Sequence, residues 1–137
     1  MAKHVVIGDV MTASPLSINL DEKLVTAQRL MKEKNIRHLP VVDNNKPVSV
    51  VTDRDLNLAV AANKNLQAAE ELIIEDVCAL NLYSVDRNTP LSEVVDYMAE
   101  NTIGSVVITH DDKLDGIFTA TDACKYLALC LKGEFHD

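Results

Sequence analysis

Hydrophobic and polar positions along this chain follow two rhythms, and each rhythm occurs twice. Leu24, Ala27, Leu30 and Met31 recur at the three- and four-residue spacing of a helix face, with Asp21 placed as an N-cap. A short extended piece, residues 16–19, precedes that helix. Two β-rich runs follow, 38–42 and 48–52, split by Asp43-Asn44-Asn45-Lys46-Pro47; turn formers between β-branched runs predict a hairpin. A second helix is predicted from 53 to about 62. The pattern then restarts. Residues 83–86 are extended, and Thr89 and Pro90 open a helix whose face carries Leu91, Val94, Val95 and Met98. Runs 105–109 and 114–119 flank His110-Asp111-Asp112-Lys113, and a last helix covers 120–131. The element order is β-α-β-β-α, twice.

The two copies are related by an offset of 67 residues. At that offset Asp9 falls on Asp76, Val10 on Val77, Met31 on Met98, Ile36 on Ile103, Thr52 on Thr119 and Asp55 on Asp122. Ten identities occur in the 48 ungapped pairs that start at residues 9–56, where average composition gives about three by chance. The chain is a duplication: residues 1–68 hold repeat 1 (core 8–62) and residues 69–137 hold repeat 2 (core 75–131). A unit of roughly 55 residues is marginal alone. The expectation is therefore an α+β body in which two β-α-β-β-α repeats pack sheet to sheet with pseudo-two-fold symmetry. Between them, Leu66, Ala69, Leu72 and Ile73 predict a short helix.

Composition narrows the function. The chain has 137 residues, 47% hydrophobic, and a net charge of −8. This excludes disorder and low-complexity character. The longest apolar run, Tyr126-Leu127-Ala128-Leu129-Cys130-Leu131, is too short to span a membrane, and Val5-Val6-Ile7 is too short for a signal peptide. An acidic chain disfavours nucleic acid as a partner. The charge is uneven, however: residues 1–68 net +2 and residues 69–137 net −10. Cys78, Cys124 and Cys130 form no CxxC pair or zinc spacing, and are expected as buried free thiols in a cytoplasmic protein, without a metal. No P-loop, HExxH or GxSxG motif occurs, and His4 and His136 lie near the ends, so an enzyme is not expected.

The polar residues kept in both copies are the informative ones. Thr52-Asp53-Arg54-Asp55 and Thr119-Ala120-Thr121-Asp122 both stand where a strand runs into a helix. Thr-x-x-Asp there is a capping box. The same helix start offers N–H groups to a phosphate, and an Asp in the first turn can accept from both hydroxyls of a ribose. The two roles are compatible.

These motifs, with Asp9-Val10-Met11-Thr12, Ile36-Arg37-His38-Leu39-Pro40-Val41-Val42-Asp43, Ile103-Gly104-Ser105-Val106-Val107-Ile108 and Gly116-Ile117-Phe118, resemble the tandem cystathionine-β-synthase (CBS) domain family, the Bateman module. The resemblance spans residues 8 to 131. It implies a regulatory, energy-sensing module that binds an adenine nucleotide (AMP, ADP or ATP) or S-adenosylmethionine in up to two clefts between the repeats. It also implies a homodimer and a regulated partner protein, with no required cofactor. By resemblance Asp55 and Asp122 hold ribose, and Thr52 and Thr119 stand near phosphate with Thr121. The adenine pocket is drawn from Thr12, Ser14, Leu16, Leu39, Pro40, Ala79, Tyr83, Gly104, Ser105 and Val106. Ser49 departs from the family's glycine, which Gly116 keeps. Arg37, His38 and Arg54 surround the first motif where Gly104, Ser105 and Thr121 surround the second, so multi-phosphate ligands are expected at the first. The alternatives are a ligand-independent dimerisation or protein-interaction module and, more weakly, a nucleic-acid binder.

Overall fold

The computed structural model describes residues 4–63 and 70–133; Leu66 and Ala69 of the expected linker helix, and His136, lie outside them. After a 3-10 turn (Ile7–Asp9) come β1 (Thr12–Ala13), β2 (Ile18–Asn19), α1 (Leu24–Lys34), β3 (His38–Asp43), β4 (Lys46–Thr52) and α2 (Asp53–Ala62). Then follow α3 (Ile74–Val77), β5 (Ser84–Asp86), α4 (Leu91–Asn101), β6 (Ser105–His110), β7 (Lys113–Thr119) and α5 (Ala120–Leu131). The α+β order predicted for each repeat is present, and each copy is also led by a short helical turn. The hairpins β3–β4 and β6–β7 close through Asn44-Asn45 and Asp111-Asp112, all four at positive φ of 50°, 67°, 52° and 65°. Asn and Asp tolerate that region, and a turn of this hand suits the twist of the strands it joins.

The helix starts differ from expectation. Neither Asp21 nor Thr89 caps a helix; α1 follows Lys23 and α4 follows Pro90, each without a side-chain cap. Their first N–H groups are satisfied by the leader of the opposite repeat: Leu24 donates to the Leu72 carbonyl (2.9 Å) and Leu91 to that of Val5 (2.8 Å). The leaders donate in return. Ile7 bonds to Thr89 (2.8 Å) and Gly8 to Arg87 (2.9 Å), while Ile74 bonds to Glu22 (2.9 Å) and Glu75 to Leu20 (3.0 Å). Each of these bonds reappears 67 residues away with the repeats exchanged.

The compact units therefore cut across the sequence repeats. One is Pro15–Leu82; the other joins Met1–Ser14 to Tyr83–Asp137. The first has the sheet β2-β3-β4 and a core of Leu24, Ala27, Met31, Leu39, Val41, Val51, Leu56 and Ile74. The second has the sheet β1-β7-β6-β5 and a core of Ile7, Leu91, Val94, Met98, Val106, Ile108 and Phe118. Ile7 and Ile74 are fully buried in the units their leaders join, a burial worth about 1.5–3 kcal/mol each.

Two substitutions between the copies shape the sheets. Val107 N–H bonds to the Tyr83 carbonyl (3.1 Å); Pro40, at the equivalent place, has no N–H, and β2 is one residue shorter than β5. In the second unit Thr12 and Ala13 pair with Ile117 and Gly116. A Cβ at Gly116 would lie 3.0 Å from the Thr12 carbonyl oxygen and closer still to the Met11 sulfur. Its counterpart Ser49 is 2% exposed and donates its hydroxyl to the Ala79 carbonyl (2.6 Å). The neighbour there is Cys78, a smaller residue than Met11. Gly with Met in one unit thus corresponds to Ser with Cys in the other. Gly116→Ser should cost about 1–3 kcal/mol by overpacking, and Met11→Cys should recover part of it. In urea denaturation the double mutant should depart from additivity by about 1 kcal/mol; strictly additive losses would show that the two positions are not coupled.

Candidate functional site

Both Thr-x-x-Asp motifs are complete capping boxes. Asp55 N–H donates to Thr52 Oγ1 (3.0 Å) and Thr52 N–H to Asp55 Oδ2 (3.2 Å). Asp122 N–H donates to Thr119 Oγ1 (3.2 Å), and Asp122 Oδ2 accepts from both Thr119 N–H (2.9 Å) and Thr119 Oγ1 (3.1 Å). Each box occupies Oδ2 and leaves Oδ1 for a donor from outside. A second repeated carboxylate does similar work. Asp9 accepts from Val6 N–H (3.4 Å) and Asp76 from Ile73 N–H (3.0 Å), which accounts for their identity at the 67-residue offset.

A cavity of about 680 Å³ opens in the Pro15–Leu82 unit. Its walls include Ser49, Val51 and Asp55 from repeat 1, and Asp76, Cys78 and Ala79 from the leader of repeat 2. Of the residues expected from sequence, it brings together Asp55 and Ala79. It does not include the expected cations. Arg37 lines a separate groove with Lys32 and Asp53, and Arg54 is exposed with its backbone N–H bonded to Asp53 Oδ1 (2.9 Å). Arg37 and Arg54 flank the motif in sequence and do not line the cavity beside Asp55. His38 sits half-buried at the start of β3.

The remaining expected residues are distributed by strand geometry. Leu39 and Val106 are fully buried in the two cores, where the strand alternation turns both side chains inward. Pro40 is also buried, in β3. Thr12 belongs to β1 on the edge of the second sheet, and Ser14, at φ 49°, donates to the Asp115 carbonyl (3.0 Å). Leu16 is exposed. Gly104 is exposed and accepts from Ala120 N–H (2.9 Å), as Arg37 accepts from Asp53 N–H (3.1 Å). Ser105 pairs with Thr119, and Thr121 is exposed in the first turn of α5. Tyr83 stacks on Tyr97, with ring centroids 4.0 Å apart. Burial raises its phenol pKa, and Glu93 and Tyr97 push the same way.

The thiols are more accessible than expected. Cys124 and Cys130 are exposed and Cys78 is half-buried, because α5 buries no residue fully. Burial raises the Cys78 thiol pKa, the Ser49 hydroxyl opposes it, and Glu75 adds to it. Sequence reasoning missed Ser49 as a wall and Cys78 as a lining group; the departure from glycine at Ser49 was the available signal. Among the described residues no group of His, Cys, Asp and Glu is placed to hold a metal ion, and no helix is long and apolar enough to cross a membrane.

Comparison with known proteins gives a consistent result. A family model, the CBS domain, matches residues 7–62 and 74–129. The fold resembles a protein of Vibrio cholerae described as a putative acetoin utilization protein (AcuB), at a TM-score of 0.83 and 30% identity, covering 98% of this chain and 100% of that one. It also resembles CBSX2 in complex with AMP (TM-score 0.76, 28% identity, covering 93% and 98%). A third similar structure is the CBS domain pair of MJ0100 with 5′-methylthioadenosine and S-adenosyl-L-methionine (TM-score 0.78, 25% identity, covering 90% and 99%).

Two outcomes follow from the site's chemistry. Thr52→Ala and Thr119→Ala should each cost about 1 kcal/mol in thermal or urea unfolding through loss of the cap. A raised pKa keeps Cys78 protonated in the folded protein, so iodoacetamide at pH 8 should modify Cys124 and Cys130 well before Cys78, as read by peptide mass spectrometry.

Proposed function

We propose that this chain, which belongs to the CBS domain family, is a regulatory module that binds an adenosyl ligand and passes the signal to a partner protein. Proteins of paired CBS domains are generally regulatory modules, and solved relatives hold AMP, 5′-methylthioadenosine or S-adenosylmethionine. The observation that carries the reading is the cavity beside Asp55. Its walls come from both sequence repeats, and the Asp55 carboxylate keeps Oδ1 for a ribose hydroxyl. A ligand there ties the leader of repeat 2 to the body of repeat 1. It stabilises the state in which the leader is docked, and any partner that distinguishes docked from undocked reads the ligand. Asp122 stands at the corresponding place in the second unit and is proposed as a second ribose acceptor, with Thr52, Thr119 and Thr121 beside the two motifs.

The protein is further proposed to be a cytoplasmic homodimer. Leu127 and Leu131 on α5 are 55% and 78% exposed, apolar surface that a second copy would cover.

Thermal unfolding in the presence of AMP, ADP, ATP, S-adenosylmethionine and 5′-methylthioadenosine tests the reading. A ligand at about a hundred times its dissociation constant should stabilise by about 2.7 kcal/mol, a shift of several degrees, and Asp55→Ala should remove it. A shift lost only in Asp122→Ala would move the site to the second unit. No shift with any of them, in protein freed of co-purified nucleotide, would favour a ligand-independent interaction module.

A further inference from the structure

We infer that the groove between α1 and α2 of the Pro15–Leu82 unit is a docking surface for an acidic peptide segment of the regulated partner. This rests on the regulatory role proposed above and names where that partner binds and by what chemistry.

The two repeats have diverged most sharply on this face. The groove encloses about 460 Å³, and Gln28, Lys32, Arg37, Asp53 and Asn57 are among its lining residues. At the 67-residue offset the second unit has Val95, Ala99, Gly104, Ala120 and Cys124 at those places. The same pair of helices is thus polar and charged in one unit and carries no Lys, Arg, Asp or Glu at these places in the other. The apolar α4–α5 side suits the second copy proposed above. The α1–α2 side does not, because a copy laid on it would strip water from Lys32 and Arg37 and offer nothing in return. It is left for a partner that supplies the missing charge.

The groove's polar groups describe that partner. Lys32 and Arg37 are exposed, and among the described residues neither is in an ion pair. Arg29 and Lys34 add positive charge to α1, against Glu33 alone. Asp53 opposes them, but its Oδ1 is taken by Arg54 N–H (2.9 Å). Gln28 Nε2 donates to Asn57 Oδ1 (3.2 Å) and so joins the two helices. That leaves Gln28 Oε1 as an acceptor and Asn57 Nδ2 as a donor, the pair that the N–H and C=O of a peptide group require. A segment rich in Asp or Glu is matched at its backbone by the amides and at its side chains by Lys32 and Arg37. The net charge of −8 on the whole chain repels the same segment elsewhere, which confines it to this face.

The groove is also placed to report the cavity. Asp55, Leu58, Ala59 and Ala62 of α2 line the cavity, while Asp53 and Asn57 of the same helix line the groove. One helix is a wall of both, so a ligand that fixes α2 acts on the surface the partner reads.

The test is fluorescence anisotropy of the full chain with a labelled peptide of alternating Glu and Gly, beside Lys–Gly and Gln–Gly peptides of equal length. The Glu peptide should bind at least about tenfold more tightly than the other two. Lys32→Glu and Arg37→Glu should each weaken it by about tenfold. Asp53→Asn, which keeps an acceptor for Arg54 N–H, should strengthen it, and Ala99→Glu, at the place equivalent to Lys32, should leave it unchanged. Equal binding of the Glu and Lys peptides, or Glu-peptide binding indifferent to both Lys32→Glu and Arg37→Glu, would overturn the inference. Loss of self-association in Lys32→Glu, read by sedimentation, would overturn it too, since the groove would then hold a second copy. So would a single-stranded oligonucleotide that binds more tightly than the Glu peptide and is lost in the same variants. Each of these outcomes leaves the regulatory reading standing, which the unfolding experiment with adenosyl ligands decides separately.

Discussion

Leu24 and Leu91 open helices whose first N–H groups have no capping side chain beside them, since Lys23 and Pro90 offer none. An orphan donor at a covered helix start costs about 1–3 kcal/mol. The chain meets this requirement by exchange: the leader of each repeat presents a carbonyl to the helix of the other and takes bonds back through its own N–H groups. The exchange sets the rest. Ile7 and Ile74 become core residues of units built mainly from the other repeat. Asp9 and Asp76 are kept because they hold the leaders' own backbone. The Asp55 cavity has two origins because the leader of repeat 2 forms one of its walls.

Duplication provides equal units, and a few substitutions make them unequal. Pro40 for Val107 shortens a parallel strand pair by deleting one donor. Ser49 for Gly116 adds a hydroxyl that captures a carbonyl, and Cys78 for Met11 leaves the room that hydroxyl needs. Packed interiors tolerate such changes when volumes compensate. The Pro15–Leu82 unit also has Ala59 and Ala62 where the other has Tyr126 and Leu129.

Much of this was legible in the sequence because hydrophobic periodicity reports burial directly. The two helices and the hairpin of each repeat follow from spacing, and the turns from Asn and Asp. The capping boxes were legible for the same reason, as local interactions three residues apart. The exchange of leaders was not, because the signal at Asp9 and Asp76 was an identity without an assigned partner. Helix starts were misassigned to Asp21 and Thr89 because a backbone carbonyl far along the chain can replace a side-chain cap without leaving a local trace. Leu39 and Val106 were expected beside a ligand and their side chains lie in the cores, because position in a motif does not say which face of a strand a side chain takes.

Charge was the least local property. Repeat 1 carries a net positive charge by residue count, and Arg37 and Arg54 bracket the Thr-x-x-Asp motif, which favoured a polyphosphate. Among the described residues the cavity beside Asp55 is lined by neither Arg37 nor Arg54. The lining carboxylates Asp55 and Asp76 are the groups fixed by backbone bonds, while Arg54 extends from the surface and Arg37 faces another groove. A capping carboxylate and a phosphate compete for the same helix N-terminus, because both satisfy the same donors and the same dipole. Where Asp53 and the Thr52-Asp55 box already occupy that end, a phosphate would have to displace a protein group before it could bind. The helix cap, first legible as a stability device, also decides which donors at that helix end are left for any other group.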